Sequence, residues 1–253
     1  MKPVIDARPI PCKICAGESP LFGVVDFHKS CVEAKGKQLS LSGIPIFYRR
    51  CSACGFLFTD MFDDWSTDAF LQNIYNAQYV QVDPDFEALR PTSNAKMIAR
   101  AFGGARESIR IVDYGGGNGL LASLLEKEGF QTATYDPFYA DSSTLPAERF
   151  DLVTCFEVME HVAFPDKILA EMVSLLKTEG AIMFSTLLQP SDFAQMGLNW
   201  WYVGPRNGHI SIHSRDSLIR LFQKEGMQTA SFSDAFHIAF RQVPAFASHL
   251  VRT

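Results

Sequence analysis

The stretch Ile109-Arg110-Ile111-Val112-Asp113-Tyr114-Gly115-Gly116-Gly117-Asn118-Gly119 decides how this chain is read. It begins as a short apolar run that ends in an acid, and four of its last five residues are glycine. Leu120 to Gly129 follows with apolar residues at helical spacing and a closing glycine. A strand, a glycine loop and a helix are therefore predicted in succession. At such a junction backbone N–H groups and a helix N-terminus converge with no side chains in the way, which is where an open α/β sheet binds its ligand.

Toward the carboxyl end the same alternation continues. QTATYD (131–136) and FDLVTCFEV (150–158) read as strands, rich in β-branched and aromatic residues. PDKILAEMVSLLKTEG (165–180) reads as a helix with Pro165 in its first turn and a stop at Gly180, followed by a strand over AIMFSTL (181–187). A last helix, DSLIRLFQKEG, takes Ser214 as its N-cap, and residues 227–242 close with strand-like alternation. The pattern predicts a doubly wound, mostly parallel, Rossmann-like α/β sheet over residues 106–253. Toward the amino end, residues 61–105 are aromatic and acidic before turning helical through NAKMIARAFGG, and read as a connector and lid.

Asp136, at the end of the second strand, is placed to accept hydrogen bonds from both hydroxyls of a ribose while the glycine loop accommodates the rest of a nucleoside ligand. From Gly117 onward the chain also spells Gly-x-Gly-x-x-Ala, so an NAD(P)-dependent oxidoreductase is an open alternative.

Residues 1–60 hold five of the six cysteines, four of them as the pairs Cys12-x-x-Cys15 and Cys51-x-x-Cys54. Each such turn puts two sulfurs on one side of a tetrahedral site, and two turns close it, so a zinc-ribbon-like module is predicted. His28 and Cys31 are spare potential ligands, and Cys155 reads as a strand residue. The amino terminus lacks the apolar core of a secretory signal, and no run approaches a membrane span, which predicts a cytoplasmic protein with reduced thiols. The net charge of −5, from 23 basic and 28 acidic residues, excludes a broad electrostatic grip on nucleic acid or anionic lipid. A nucleic-acid-binding zinc protein with a locally basic patch and an inactive cofactor-binding scaffold remain as alternatives. Oligomeric state is not readable.

Asp-x-Gly-x-Gly-x-Gly from Asp113, then Asp136, then FDLVTCFEVMEHV, then KTEGAIMFST, resembles a class I S-adenosylmethionine-dependent methyltransferase. The resemblance implies that Asp113, Gly115, Gly116, Gly117 and Gly119 lie against the methionine portion of that cofactor, that Asp136 binds the ribose, and that Phe138, Phe156 and Glu157 complete the pocket. Only thirteen residues separate Asp136 from Phe150, so the family's third strand and its helix are shortened or missing; Asp141 or Phe138 then faces the adenine. The turn after 150–156 lacks the Asn/Asp-Pro-Pro-Tyr pattern of nucleic-acid and glutamine amino-methyltransferases.

Methyl transfer needs positioning and the removal of one proton. His161, with Glu160 beside it, has the chemistry for that proton, and so has a connector tyrosine, Tyr79. Tyr75, Trp201, Arg206, His209 and His213 are candidates for a substrate wall. Zinc module, Tyr-bearing connector and methyltransferase domain, in that order, resemble the sugar C-methyltransferases, although their further carboxy-terminal domain is not carried by the sequence to Thr253. The expectation is methyl transfer to carbon or oxygen of a small polar molecule such as a sugar or keto metabolite.

Overall fold

A computed structural model describes residues 8–251. The amino-terminal part builds β1 (Ile10–Pro11), β2 (Glu18–Ser19), β3 (Leu21–Asp26), β4 (Pro45–Arg50) and β5 (Leu57–Phe58). The connector folds as α1 (Thr67–Asn73), α2 (Tyr79–Val82) and α3 (Leu89–Phe102). Then come β6 (Arg110–Tyr114), α4 (Leu120–Lys127), β7 (Gln131–Tyr135), β8 (Phe150–Phe156), α5 (Pro165–Ser174) and β9 (Leu176–Ser185). The chain ends with α6 (Phe193–Met196), β10 (Ser211–Ile212), α7 (Arg215–Gln223), β11 (Gln228–Ser231) and β12 (Phe236–Phe240).

The large sheet has the order β11-β12-β9-β8-β6-β7, with β7, β6, β8 and β9 parallel and the last two strands antiparallel. This is the doubly wound, mostly parallel α/β sheet expected. Its strands are apolar on both faces because helices cover both. Ile111, Leu152 and Met183 join Ile98, Leu121 and Leu125 of α3 and α4 on one side. Their neighbours Val112, Val153 and Ile182 join Leu169, Met172, Leu218 and Leu221 of α5 and α7 on the other. Single-residue alternation between two cores is the signature of a strand buried on both sides. The order reverses at β6, which has β7 on one flank and β8 on the other, so a crevice opens beyond the carboxyl ends of β6 and β8. Among the described residues no strand lies outside β7.

One helix boundary differs from expectation. The helix stops at Ser174, and Gly180 lies inside β9, not at the helix end. The pairing explains it: Phe150 faces Leu176 but Leu152 faces Ala181, so the extra residues of β9 loop out against β8. A Cβ at Gly180 would meet the Asp151 carbonyl oxygen at 2.8 Å, so the glycine serves close backbone approach. Ser214 does cap α7, with a reciprocal bond to Ser217.

The smaller sheet, β10-β5-β4-β3, spans the two halves of the chain, since β10 follows the crevice segments in sequence yet pairs with β5. The buried Tyr48 of β4 donates its hydroxyl hydrogen to the His209 carbonyl at 2.6 Å. The amino-terminal part therefore supports the wall of the crevice directly.

Candidate active site

The glycines of the loop are demanded by their surroundings. Gly115 has φ +74°, and a Cβ there would lie 2.4 Å from Val158 Cγ2; one at Gly116 would lie 2.6 Å from Asp113 Oδ2. Only glycine lets the loop fold onto both strand ends. The Gly115 N–H donates to the Tyr135 carbonyl, and the Gly117 N–H donates to Asp136 Oδ2 at 2.9 Å. Asp136 Oδ1 accepts from the Phe138 N–H at 2.8 Å. Burial pushes the Asp136 carboxyl up, against the pull of those two donors. Asp113 is buried and accepts from the Thr154 hydroxyl at 2.7 Å; burial holds its carboxyl up at about 7.

Across the crevice, Glu157 directly follows β8 in a left-handed conformation, φ +56°, that a non-glycine residue adopts only under constraint. The constraint is Ser185 of β9, whose oxygen accepts from the Glu157 N–H at 2.8 Å while its hydroxyl donates to Glu157 Oε1 at 2.7 Å. Phe156 is buried in the core beneath, against Phe236. Arg90 of α3 lies 4.0 Å from Glu157 and binds Asp83 through both guanidinium nitrogens. Asp141 is exposed, away from the loop's hydrogen bonds.

The residues after Glu157 turn inward. Glu160 is fully buried, accepts from the Tyr202 hydroxyl at 2.7 Å, and is pushed up to about 8 by burial and then by Glu157. His161 Nε2 lies 4.0 Å from Glu160 Oε1. The His161 and His209 rings meet edge to face at 4.8 Å. Both imidazoles are held below their ordinary range by burial, His209 to about 4, so both are neutral acceptors at neutral pH. Tyr75 packs edge-on to Phe138 at 5.1 Å and to His161 at 6.1 Å, bridging the cofactor loop and the histidines. Cys31 Sγ is 3.5 Å from His209 Nδ1.

Several candidates are not brought to this pocket. Tyr79 has its hydroxyl engaged by the Asn207 carbonyl at 3.2 Å. Arg206 spends its guanidinium on the Ile74 carbonyl and the Asn76 side chain, so it anchors the connector. His213 is buried against Phe56, 5.0 Å between rings, on the cysteine side of the fold. Trp201 is 37% exposed. Sequence reading marked the aromatic run 199–202 as a substrate wall but chose Trp201 from it and not Tyr202, and it missed Arg90, which stands in no motif that could have marked it.

The four cysteines converge as expected. Cys12 Sγ is 3.7 Å from Cys54 Sγ, and Cys15 Sγ is 3.5 Å from Cys51 Sγ. Zinc–sulfur bonds of ~2.3 Å in a tetrahedron put sulfurs roughly 3.8 Å apart, so the set fits zinc. The N–H groups of Ile14, Ala53 and Cys54 point at these sulfurs at 3.4 Å, which favours thiolates. His28 is elsewhere, bonded to the Ser40 carbonyl, and Cys155 is buried in β8.

Comparison with known proteins agrees with the geometry. The family model described as methyltransferase domain matches residues 86–231, more than half of the chain. The chain is similar to the ubiquinone biosynthesis O-methyltransferase of Histophilus somni, at 28% identity covering 31% of this chain and 44% of that protein. It is also similar to the enzyme of the same name from Bradyrhizobium diazoefficiens, at 34% identity over 31% of this chain and 40% of that protein. The chain thus spans less than half the length of these curated relatives. Among solved structures, magnesium protoporphyrin IX methyltransferase from Synechocystis with bound SAH gives 14% identity and a TM-score of 0.45, covering 60% of this chain and 82% of that one. No helix among the described residues is long and apolar enough to cross a membrane. With the family model running from just ahead of α3 through β11, and taking in the glycine loop and Asp136, the chain belongs to the methyltransferase-domain family.

Proposed function

We propose that the protein transfers a methyl group from S-adenosylmethionine to an oxygen or carbon of a small polar molecule. The carrying observation is the adjacency of two sites: the glycine loop with Asp136, and the buried neutral pair His161 and His209, joined through Tyr75 and Phe138. In this reading Asp136 turns from the Gly117 and Phe138 N–H groups to the ribose, Asp113 and the glycines face the methionine portion, and Phe138 and Glu157 line the rest, with Phe156 left to the core beneath them. The sulfonium supplies the leaving group. The chain's own work is to orient the acceptor and take up one proton at His161 Nε2, held beside Glu160. A connector tyrosine, Tyr75 in place of Tyr79, completes the acceptor wall.

Residues 1–60 serve as a structural zinc module, 61–105 as connector and lid, and 106–253 as the cofactor domain. A sugar or keto metabolite, with an enolisable or hydroxyl-bearing carbon, suits a wall of tyrosines and neutral histidines. Free thiols suit a cytoplasmic setting. Calorimetry with S-adenosylhomocysteine and NADH tests the reading: the homocysteine nucleoside binds and NADH does not. NADH binding without the former sinks it in favour of an oxidoreductase. His161→Asn spares S-adenosylhomocysteine binding and cuts methyl transfer.

A further inference from the structure

Glu160, His161 and His209 offer a carboxylate oxygen and two ring nitrogens that all lie within 4.8 Å of one another. Tyr202 orients two of the three. Its hydroxyl donates to Glu160 Oε1 at 2.7 Å, and its carbonyl faces His209 Nδ1 at 2.8 Å. A carbonyl only accepts, so the His209 proton sits on Nδ1 and the Nε2 lone pair is free. Metal-ligating histidines are held in this way, by a carbonyl or carboxylate on the far nitrogen. Glu160 Oε2 and His161 Nδ1 are buried with no partner. The nearby cation, Arg90, is bound to Asp83 at the mouth of the crevice and is not spent on them.

We propose that Glu160, His161 and His209 form a second metal site, for a divalent transition ion such as Zn2+, separate from the four-cysteine cluster. Two imidazoles and one carboxylate are a ligand set that such ions take, leaving a position open for a small-molecule oxygen. Bonds of ~2.0–2.2 Å need the ligand atoms to close to roughly 3.4 Å. Tyr202 holds both Glu160 and His209, so closing that distance falls to the His161 side chain, which now stands 4.0 Å from Glu160 Oε1. An ion there takes the His161 lone pair, so occupancy and proton uptake by His161 exclude one another. That consequence rests on the methyltransferase reading; the metal site itself does not.

The test is cobalt stoichiometry on the full chain. Reconstituted protein takes up two Co2+ per chain, one with intense thiolate-to-cobalt absorption in the near ultraviolet and one with only the weak visible bands of nitrogen and oxygen ligands. The double variant His161→Ala, His209→Ala keeps the thiolate signal and loses the second ion. Tyr202→Phe leaves the first ion alone and weakens the second by about 10–100-fold, the scale of a lost supporting bond. A single equivalent in the wild type, a second equivalent that survives both histidine substitutions, or a Tyr202→Phe protein that binds the second ion unchanged overturns the proposal. S-adenosylhomocysteine calorimetry on the same samples separates the two claims. Nucleoside binding with one Co2+ removes only the metal site, and two Co2+ without nucleoside binding removes only the methyltransferase reading.

Discussion

The four-cysteine cluster and the Glu160–His161–His209 pocket are both groups of metal-capable side chains, and they are built oppositely. In the first, sulfurs stand 3.5–3.7 Å apart and N–H groups point at them, so the ligands are already where a closed site needs them. In the second, the atoms spread to 4.8 Å and two are left buried without a partner. A satisfied cluster stabilises a fold, whereas an unsatisfied one is held open by its surroundings for something that comes and goes. The contrast predicts where substitutions act on stability and where they act on binding.

Breaking the satisfied cluster has the largest effect. Residues 8–60 contribute Cys12, Ile14, Cys51, Cys54, Phe56 and Phe58 to the same apolar cluster as α5 and α7. Cys51→Ser removes a thiolate from a structural site and is expected to destabilise by more than about 4 kcal/mol. Because Tyr48 holds the His209 carbonyl and β5 pairs with β10, the loss spreads to the crevice. Chemical denaturation with S-adenosylhomocysteine binding measured in parallel checks it; normal stability would remove the cluster's structural role.

In the crevice the order of effects reverses, with binding moving more than stability. Asp136→Ala deletes the acceptor for Gly117 and Phe138, whose N–H groups turn to water in the free protein. Two lost charge-assisted bonds to a ribose amount to about 3 kcal/mol, or roughly 100-fold in affinity for S-adenosylhomocysteine, with a small change in melting temperature. Gly115→Ala is intermediate. A methyl 2.4 Å from Val158 at φ +74° costs about 2 kcal/mol of stability and pushes the Glu157–Val158 turn off the loop. If its melting temperature is unchanged, the loop is less tightly seated than this packing implies.

How much of this was legible depended on whether the information was local. The glycine loop, the capped α7 and the cysteine pairs are short-range signals, and the fold followed from them. Gly180 misled because a helix-stopping glycine and a close-approach glycine look alike until Leu176 and Asp151 are seen against it. The pocket mixes both cases. Glu160 and His161 are adjacent in sequence, but Tyr202, His209, Tyr75 and Cys31 reach it from three other segments, and nothing local distinguishes Tyr202 from Trp201. The same holds for Arg206, whose guanidinium partners Ile74 and Asn76 lie far away in the chain.

Asp113 gives the smallest effect and tests the contrast most finely, because it can belong to either kind of site. Burial keeps its carboxyl protonated up to about 7, against the ordinary value of 3.8, although the Thr154 hydroxyl pulls the other way. Its contribution to folding is therefore complete below about pH 3.8 and is lost as the pH rises through 7. A ligand carrying a sulfonium and an ammonium favours the ionised form, so binding releases a proton. Affinity for S-adenosylmethionine should then rise by about tenfold between pH 6 and 8, the span over which such a group ionises. Calorimetry in two buffers of different ionisation enthalpy counts the proton directly. In Asp113→Asn both the pH dependence and the released proton disappear. Should the variant keep them, Asp113 is a satisfied strand-end acid held by Thr154, and it joins the cysteines on the structural side of the comparison.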